Sequence, residues 1–177
     1  MTVDYQLITQ DATGNIFNID AGSITDGAAP DTSRPFRNIR IAFESQFNTA
    51  AQGLGISDKA FENVNFNLAA VSKATAVSEF LRGTLLPADT RVGSLGATGR
   101  DVNTGIFQID YYNKVGVGGY SEKIDGIANY FTRSSKFISN GTTVIIDNVS
   151  LGVGRREDAF FVRNIDVSYT AVTPARS

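Results

Sequence analysis

The chain has 177 residues, with 16 Lys plus Arg against 18 Asp plus Glu, and no His, Cys or Trp. This composition excludes a histidine general base, a thiolate nucleophile, a zinc finger, a disulfide framework and a haem held by His or Cys, leaving carboxylate, Lys, Tyr, Ser and backbone chemistry. A net charge of -2 argues against nucleic-acid binding by bulk charge, and the length suits one domain, or one domain with an appendage.

No run of about 18 apolar residues is present, and residues 1–20 lack a basic stretch followed by an apolar one, so the expectation is a soluble protein made in a cytoplasm. Near the start, residues 5–9 and 15–19 are β-prone and flank the turn cluster Asp11-Ala12-Thr13-Gly14-Asn15, which predicts a hairpin. A lone hairpin is marginal in water, so it has to lean on the main domain or on a partner. Residues 20–35 collect Gly, Ala, Ser, Asp and Pro with little to bury, and read as a linker.

From residue 38 to 54 the apolar residues Ile39, Phe43, Phe47, Ala50 and Leu54 fall on about a quarter of a helix circumference. Pro35 leads in, and Gly53 and Gly55 end it. Ile41 lies on the opposite face, where in an oligomer it is a candidate contact. Residues 61–68, FENVNFNL, alternate Val64, Phe66 and Leu68 with three asparagines, the period of a half-buried strand. A second strand over 76–86 is closed by Pro87. Residues 88–104 then form a long Gly-rich connection carrying Arg91 and Arg100, of a length that is usually functional or disordered.

A third strand, 105–113, sets Phe107, Ile109 and Tyr111 on one side and Ile106, Gln108, Asp110 and Tyr112 on the other. VGVGG leads into a second helix over 120–131, with Tyr120, Ile124, Ile127, Ala128 and Phe131 on one face and Gly126 marking a close approach. Two final strands, 143–151 and 159–172, are joined by 152–158. The sum is an N-terminal hairpin and linker extension (1–35), followed by an α+β domain (36–177) in which two helices pack on one face of a mixed, mainly antiparallel sheet.

The chemistry-bearing clusters are weak. Gly116-Val117-Gly118-Gly119 lacks the Lys-Ser/Thr of a phosphate loop and reads as a tight strand-to-helix turn. Asp110, Asp166, Glu44, Glu79 and Asp147 have no spacing that joins two of them in a cleft, and read as solvated carboxylates. Ser134-Ser135-Lys136 reads as a helix end. Arg155, Arg156, Glu157 and Asp158 make a mixed-charge hairpin tip, either a soluble turn or a docking surface that sets register through charge pairs. No catalytic, metal or cofactor site is expected.

Taken in order, IRIAFESQF (39–47), FENVNF (61–66), LRGTLLPADTRVGSLG (81–96), TGIFQIDYY (104–112), GVGGYSEKIDGIANYF (116–131) and GVGRREDAFFVRNIDVSY (152–169) resemble the tail terminator, or tail completion, proteins of long-tailed bacteriophages. The resemblance spans about residues 37–170 and implies an α+β fold and a non-enzymatic ring former, commonly a hexamer. Such a ring caps the tail tube, ends its polymerisation and receives the head or neck. It implies as partners further copies of the chain, the tail tube protein, a neck or head-tail connector protein, the sheath where the tail contracts, and DNA passing through the lumen without sequence-specific binding. It also implies a place at the head-proximal end of the virion tail after assembly in the host bacterial cytoplasm. Arg91, Arg100, Arg155 and Arg156 take the family's loop roles, as contacts to neighbours or to the lumen. Residues 1–34 have no counterpart in the family. The rival readings are a tail tube or neck subunit, and a carbohydrate-binding or carboxylate-based hydrolase domain of a tail fibre, with a cleft lined by Tyr111, Tyr112 or Tyr130.

Overall fold

The computed structural model describes residues 7–10, 16–19, 34–62, 77–94 and 99–174. Two short strands, β1 (Leu7–Gln10) and β2 (Ile16–Ile19), pair antiparallel in a sheet of their own, with Leu7 opposite Ile19 and Gln10 opposite Ile16. The linker expected over 20–35 lies almost wholly outside the described residues, as does the strand expected over 61–68 beyond its first two positions.

The rest is α+β: two helices and a curled, mixed but mostly antiparallel seven-stranded half-barrel. Helix α1 (Pro35–Gly53) starts on its proline, where a missing N–H costs nothing. It is followed by β3 (Lys59–Phe61), β4 (Glu79–Ser94), β5 (Arg100–Lys114), α2 (Tyr120–Asn129), β6 (Lys136–Ser139), β7 (Thr142–Leu151), β8 (Arg155–Glu157) and β9 (Phe160–Pro174). The strand order is β3-β4-β5-β9-β7-β6, with β8 also on β9; only the β3–β4 pair is parallel.

Period-two alternation sends Phe107, Ile109 and Tyr111 of β5 and Ile165, Val167 and Tyr169 of β9 into one core with Phe43 and Phe47 of α1 and Ile124 and Ile127 of α2. The rings interlock: Phe43 stacks on Phe107 at 4.7 Å between centroids and meets Tyr169 edge-on at 4.9 Å. Each buried Phe supplies roughly 2–3 kcal/mol of transfer free energy. The even-numbered side holds a smaller cluster, Phe80, Tyr112, Phe160 and Val162, with Phe80 and Tyr112 stacked at 4.1 Å. Burial pushes the Tyr169 phenol up to about 12, and its hydroxyl has no hydrogen-bond partner among the described residues.

Gly126 is where close packing demands it, because a Cβ there would lie 2.6 Å from Leu54 Cδ2. Several expected boundaries are corrected. Of the connection expected over 88–104, residues 88–94 and 100–104 are strand: β4 and β5 pair through them, with Thr90 opposite Asn103, Arg91 opposite Val102 and Val92 opposite Asp101. Pro87 does not end the strand because the register shifts between Pro87 and Thr90, an irregularity that absorbs the residue lacking an N–H. Ser134-Ser135-Lys136 is not a helix end either; α2 stops at Asn129, Ser134 turns the chain at φ 67°, and Lys136 opens β6. The expected 152–158 connection contains β8.

Candidate interface

The four arginines expected at contacts fall into two pairs at opposite ends of β9. Arg91 and Arg100 sit on the β4–β5 ribbon, level with Val172 and Pro174 at the end of β9. Arg155 and Arg156 sit on β8, opposite Val162 and Phe161 at its start. Ten residues of extended chain separate Val162 from Val172, about 33 Å. On the ribbon, Arg91 Nε donates to Asp89 Oδ2 at 2.9 Å with the two side chains 75% and 58% exposed, and the Arg100 N–H donates to Ser94 Oγ at 3.0 Å. On β8, Arg155 Nη2 lies 3.4 Å from Glu157 Oε2. Such solvated pairs add little to stability, so these charges are available for contacts. Ile41 is half-buried on α1, distant in the chain from both pairs and outside the main core cluster.

Three carboxylates read as solvated are partnered; Glu44 is half-buried and accepts from Arg40 Nε at 2.6 Å, and the other two lie on the sheet. Asp110 is 1% exposed, accepts from Arg82 Nη2 at 2.7 Å and from Gln108 Nε2 at 3.0 Å. Glu79 is half-buried, accepts from the Tyr111 hydroxyl at 2.6 Å and pairs with Lys123 Nζ at 3.1 Å. Burial, first, and the Glu79 carboxylate, second, push the Tyr111 phenol well above its usual range. Sequence periodicity placed Asp110 on the polar side of its strand, but gave no sign that Arg82, 28 residues earlier, is its cross-strand partner. All three acids sit in structural ion pairs; no group of three or more potential metal ligands exists among the described residues. Neither Tyr111, 0% exposed, nor Tyr112, 1% exposed, is open to line a sugar cleft, and they belong to different clusters; Tyr130 is half-buried against the main core.

Among the described residues the sheet has two margins that are only partly paired. On β4 the outer side is taken by β3 only as far as Gly83, whose carbonyl accepts from the Glu62 N–H. On β7 the outer side is covered by β6 over residues 142–145, and by Ser134 and Ser135, which bond the Ile146 backbone. Past these points, no strand pairs with either margin among the described residues. Both carry exposed apolar side chains: Leu86 at 44% and Val92 at 67% on β4, Leu151 at 43% on β7 and Val153 at 87% just beyond it.

A sequence model described as phage tail terminator protein matches residues 38–169. A solved structure that carries no descriptive name is 23% identical, with a TM-score of 0.58, and covers 77% of this chain and 94% of its own, which bears on the fold alone. A second, from the virion of a native gene transfer agent particle, is 13% identical with a TM-score of 0.44, over 80% of this chain and 98% of that one. No curated protein is significantly similar in sequence.

Proposed function

This chain belongs to the phage tail terminator protein family and so is a structural component of the virion tail, and from that membership we propose that it forms a ring, six copies around, that caps the tail tube. The cap stops tube polymerisation and offers its far side to the head or neck; its mechanism is complementarity of shape and interface, with no substrate. The observation that carries this reading is the family match over 38–169, which takes in every strand of the main sheet except the end of β9.

Two exposed arginine pairs about 33 Å apart along one strand suit a subunit that touches different neighbours at its two ends. Electron microscopy of the head-proximal end of the tail tests the proposal: one ring is expected there, and copies distributed along the whole tube would instead make the chain a tube subunit. Reversing both charges at the β8 turn, Arg155→Glu with Arg156→Glu, is expected to leave a folded monomer by circular dichroism and block ring or tail assembly. Normal assembly of that variant would remove the β8 turn from the interface. We assign residues 1–35 to an added contact with a neighbouring subunit or neck protein. A chain beginning at Phe36 that forms rings but no longer joins heads would put that contact on the outside, and one that forms no ring would make it a clamp between subunits.

A further inference from the structure

We propose that the two open margins of the sheet pair with each other between copies, β7 of one subunit lying antiparallel beside β4 of the next in a head-to-tail joint. This rests on the ring proposed above and specifies how it closes.

The strand count makes the joint possible. Between the margins run β4, β5, β9 and β7, each antiparallel to its neighbour. Four is even, so β7 of one copy and β4 of the next point in opposite directions, and the antiparallel alternation continues across the junction without a break. An odd number would have forced a parallel joint.

The backbone groups also match. Gly152 N–H donates to Asn164 O of β9 at 2.9 Å, so alternation along β7 turns the N–H and C=O of Val149 and Leu151 outward. On β4, Leu81 and Gly83 bond outward to Asp58 and Glu62, each opposite an odd-numbered residue of β5. Past the irregularity, Thr90 and Val92 keep that relation, opposite Asn103 and Asp101, so they too point outward. Leu85 keeps the same relation but is 8% exposed, and Pro87 has no N–H to offer, so among the described residues the accessible free run lies at the far end of β4. Among the described residues each margin there presents two unpaired residues, two positions apart, and in the joint Thr90 faces Leu151 and Val92 faces Val149. Val92 and Leu151, exposed in a single chain, are covered by this joint. Charge agrees with it, since Asp147 and Asp166 beside one margin have no basic partner, and Arg100 beside the other no acidic one, among the described residues.

The two free runs are offset along the strands. Val149 is level with Val167 of β9, and Val92 with Thr173, an offset of about 20 Å. Four strands span roughly 19 Å across, so the strands incline by about 45° to the ring axis, close to the tilt that closed sheets adopt. A heterologous joint of this kind closes into a ring when its rotation divides the circle.

The chain has no cysteine, which makes cross-linking clean. Residues that exchange backbone bonds across antiparallel strands have Cα atoms about 5.5 Å apart, within disulfide reach. Full-length Thr90→Cys with Leu151→Cys, both exposed positions, is expected on oxidation to give a non-reducing ladder ending at the ring, while either single variant stays monomeric on the gel. Dimers from a single variant would mean like margins meet, and would overturn the joint. A ring visible in the microscope with no ladder would overturn the joint and leave the ring standing; neither ring nor ladder in otherwise wild-type protein would overturn both. As an independent measurement, Val92→Lys with Leu151→Lys sets like charge on the two margins. It is expected to leave the monomer's circular dichroism unchanged and weaken association at least ten-fold, and unaltered assembly would count against the joint.

Discussion

At Tyr169 burial wins over hydrogen bonding: a phenol at 1% exposure packs against Phe43, and its hydroxyl has no partner among the described residues. Removing an unsatisfied buried hydroxyl relieves its desolvation, so Tyr169→Phe is expected to leave stability at pH 7 unchanged or raise it by up to about 1 kcal/mol in urea titrations. The pH dependence has a definite sign. Tyr169 holds its proton to about 12 when folded, against about 10 when unfolded, so its contribution is complete below pH 10 and lost as pH rises toward 12. Tyr169→Phe is therefore expected to lose less stability than the wild type between pH 9 and pH 11. Arg82 and Asp110 behave otherwise. Arg82→Met strands a carboxylate that is 1% exposed, and the expected loss is about 2 kcal/mol, less than for a fully buried pair because the Arg82 side chain is 41% exposed. The face each of these residues occupies was legible from alternation; their partners were not, since pairing across strands 28 residues apart depends on register.

Among the elements, the β4–β5 ribbon shows most clearly where sequence reading stops. Both helices, the third strand and the last two strands were legible, because apolar residues mark each, five on one face of each helix and runs of β-prone residues along the strands. The ribbon past Pro87 was not: its β4 half is exposed throughout and buries nothing, so no hydrophobic period marks it, and Pro and Gly imitate a loop. β8 and β6 were missed for a simpler reason, being three and four residues long. Replacing residues 88–103 by a two-residue turn is expected to keep the fold, read by circular dichroism, while removing assembly. Gly105 carries the opposite expectation. A Cβ there would lie 2.6 Å from Leu86 O and 2.7 Å from the Tyr169 hydroxyl, so Gly105→Ala is expected to lower stability by roughly 1–3 kcal/mol in thermal unfolding. The loss shrinks in a Tyr169→Phe background but does not vanish, because the Leu86 carbonyl stays.

For the whole molecule, stability is concentrated where strands have neighbours on both sides. β5 and β9 are flanked along their length and line the main core, whereas β6 and β8 are short and, among the described residues, have a paired strand on one side only. Hydrogen exchange is expected to follow that order, with β5 and β9 amides slower than those of β6 and β8 by on the order of ten-fold or more. Protection of Thr90, Val92, Val149 and Leu151 on assembly would add the joint to this map.

The β5–β9 ladder has a mechanical consequence. Its 15 register pairs run from Arg100 opposite Pro174 to Lys114 opposite Phe160. A pull along the strands, from the ribbon arginines to those on β8, loads these bonds in shear, all at once, whereas a pull across the sheet would open them one after another. A single-molecule stretching measurement along that axis is expected to give one high rupture force, and a pull applied across β6 and β7 a low one. If the two arginine pairs hold neighbours as proposed, the ladder between them acts as a tension member, stiff along the strands and yielding across them.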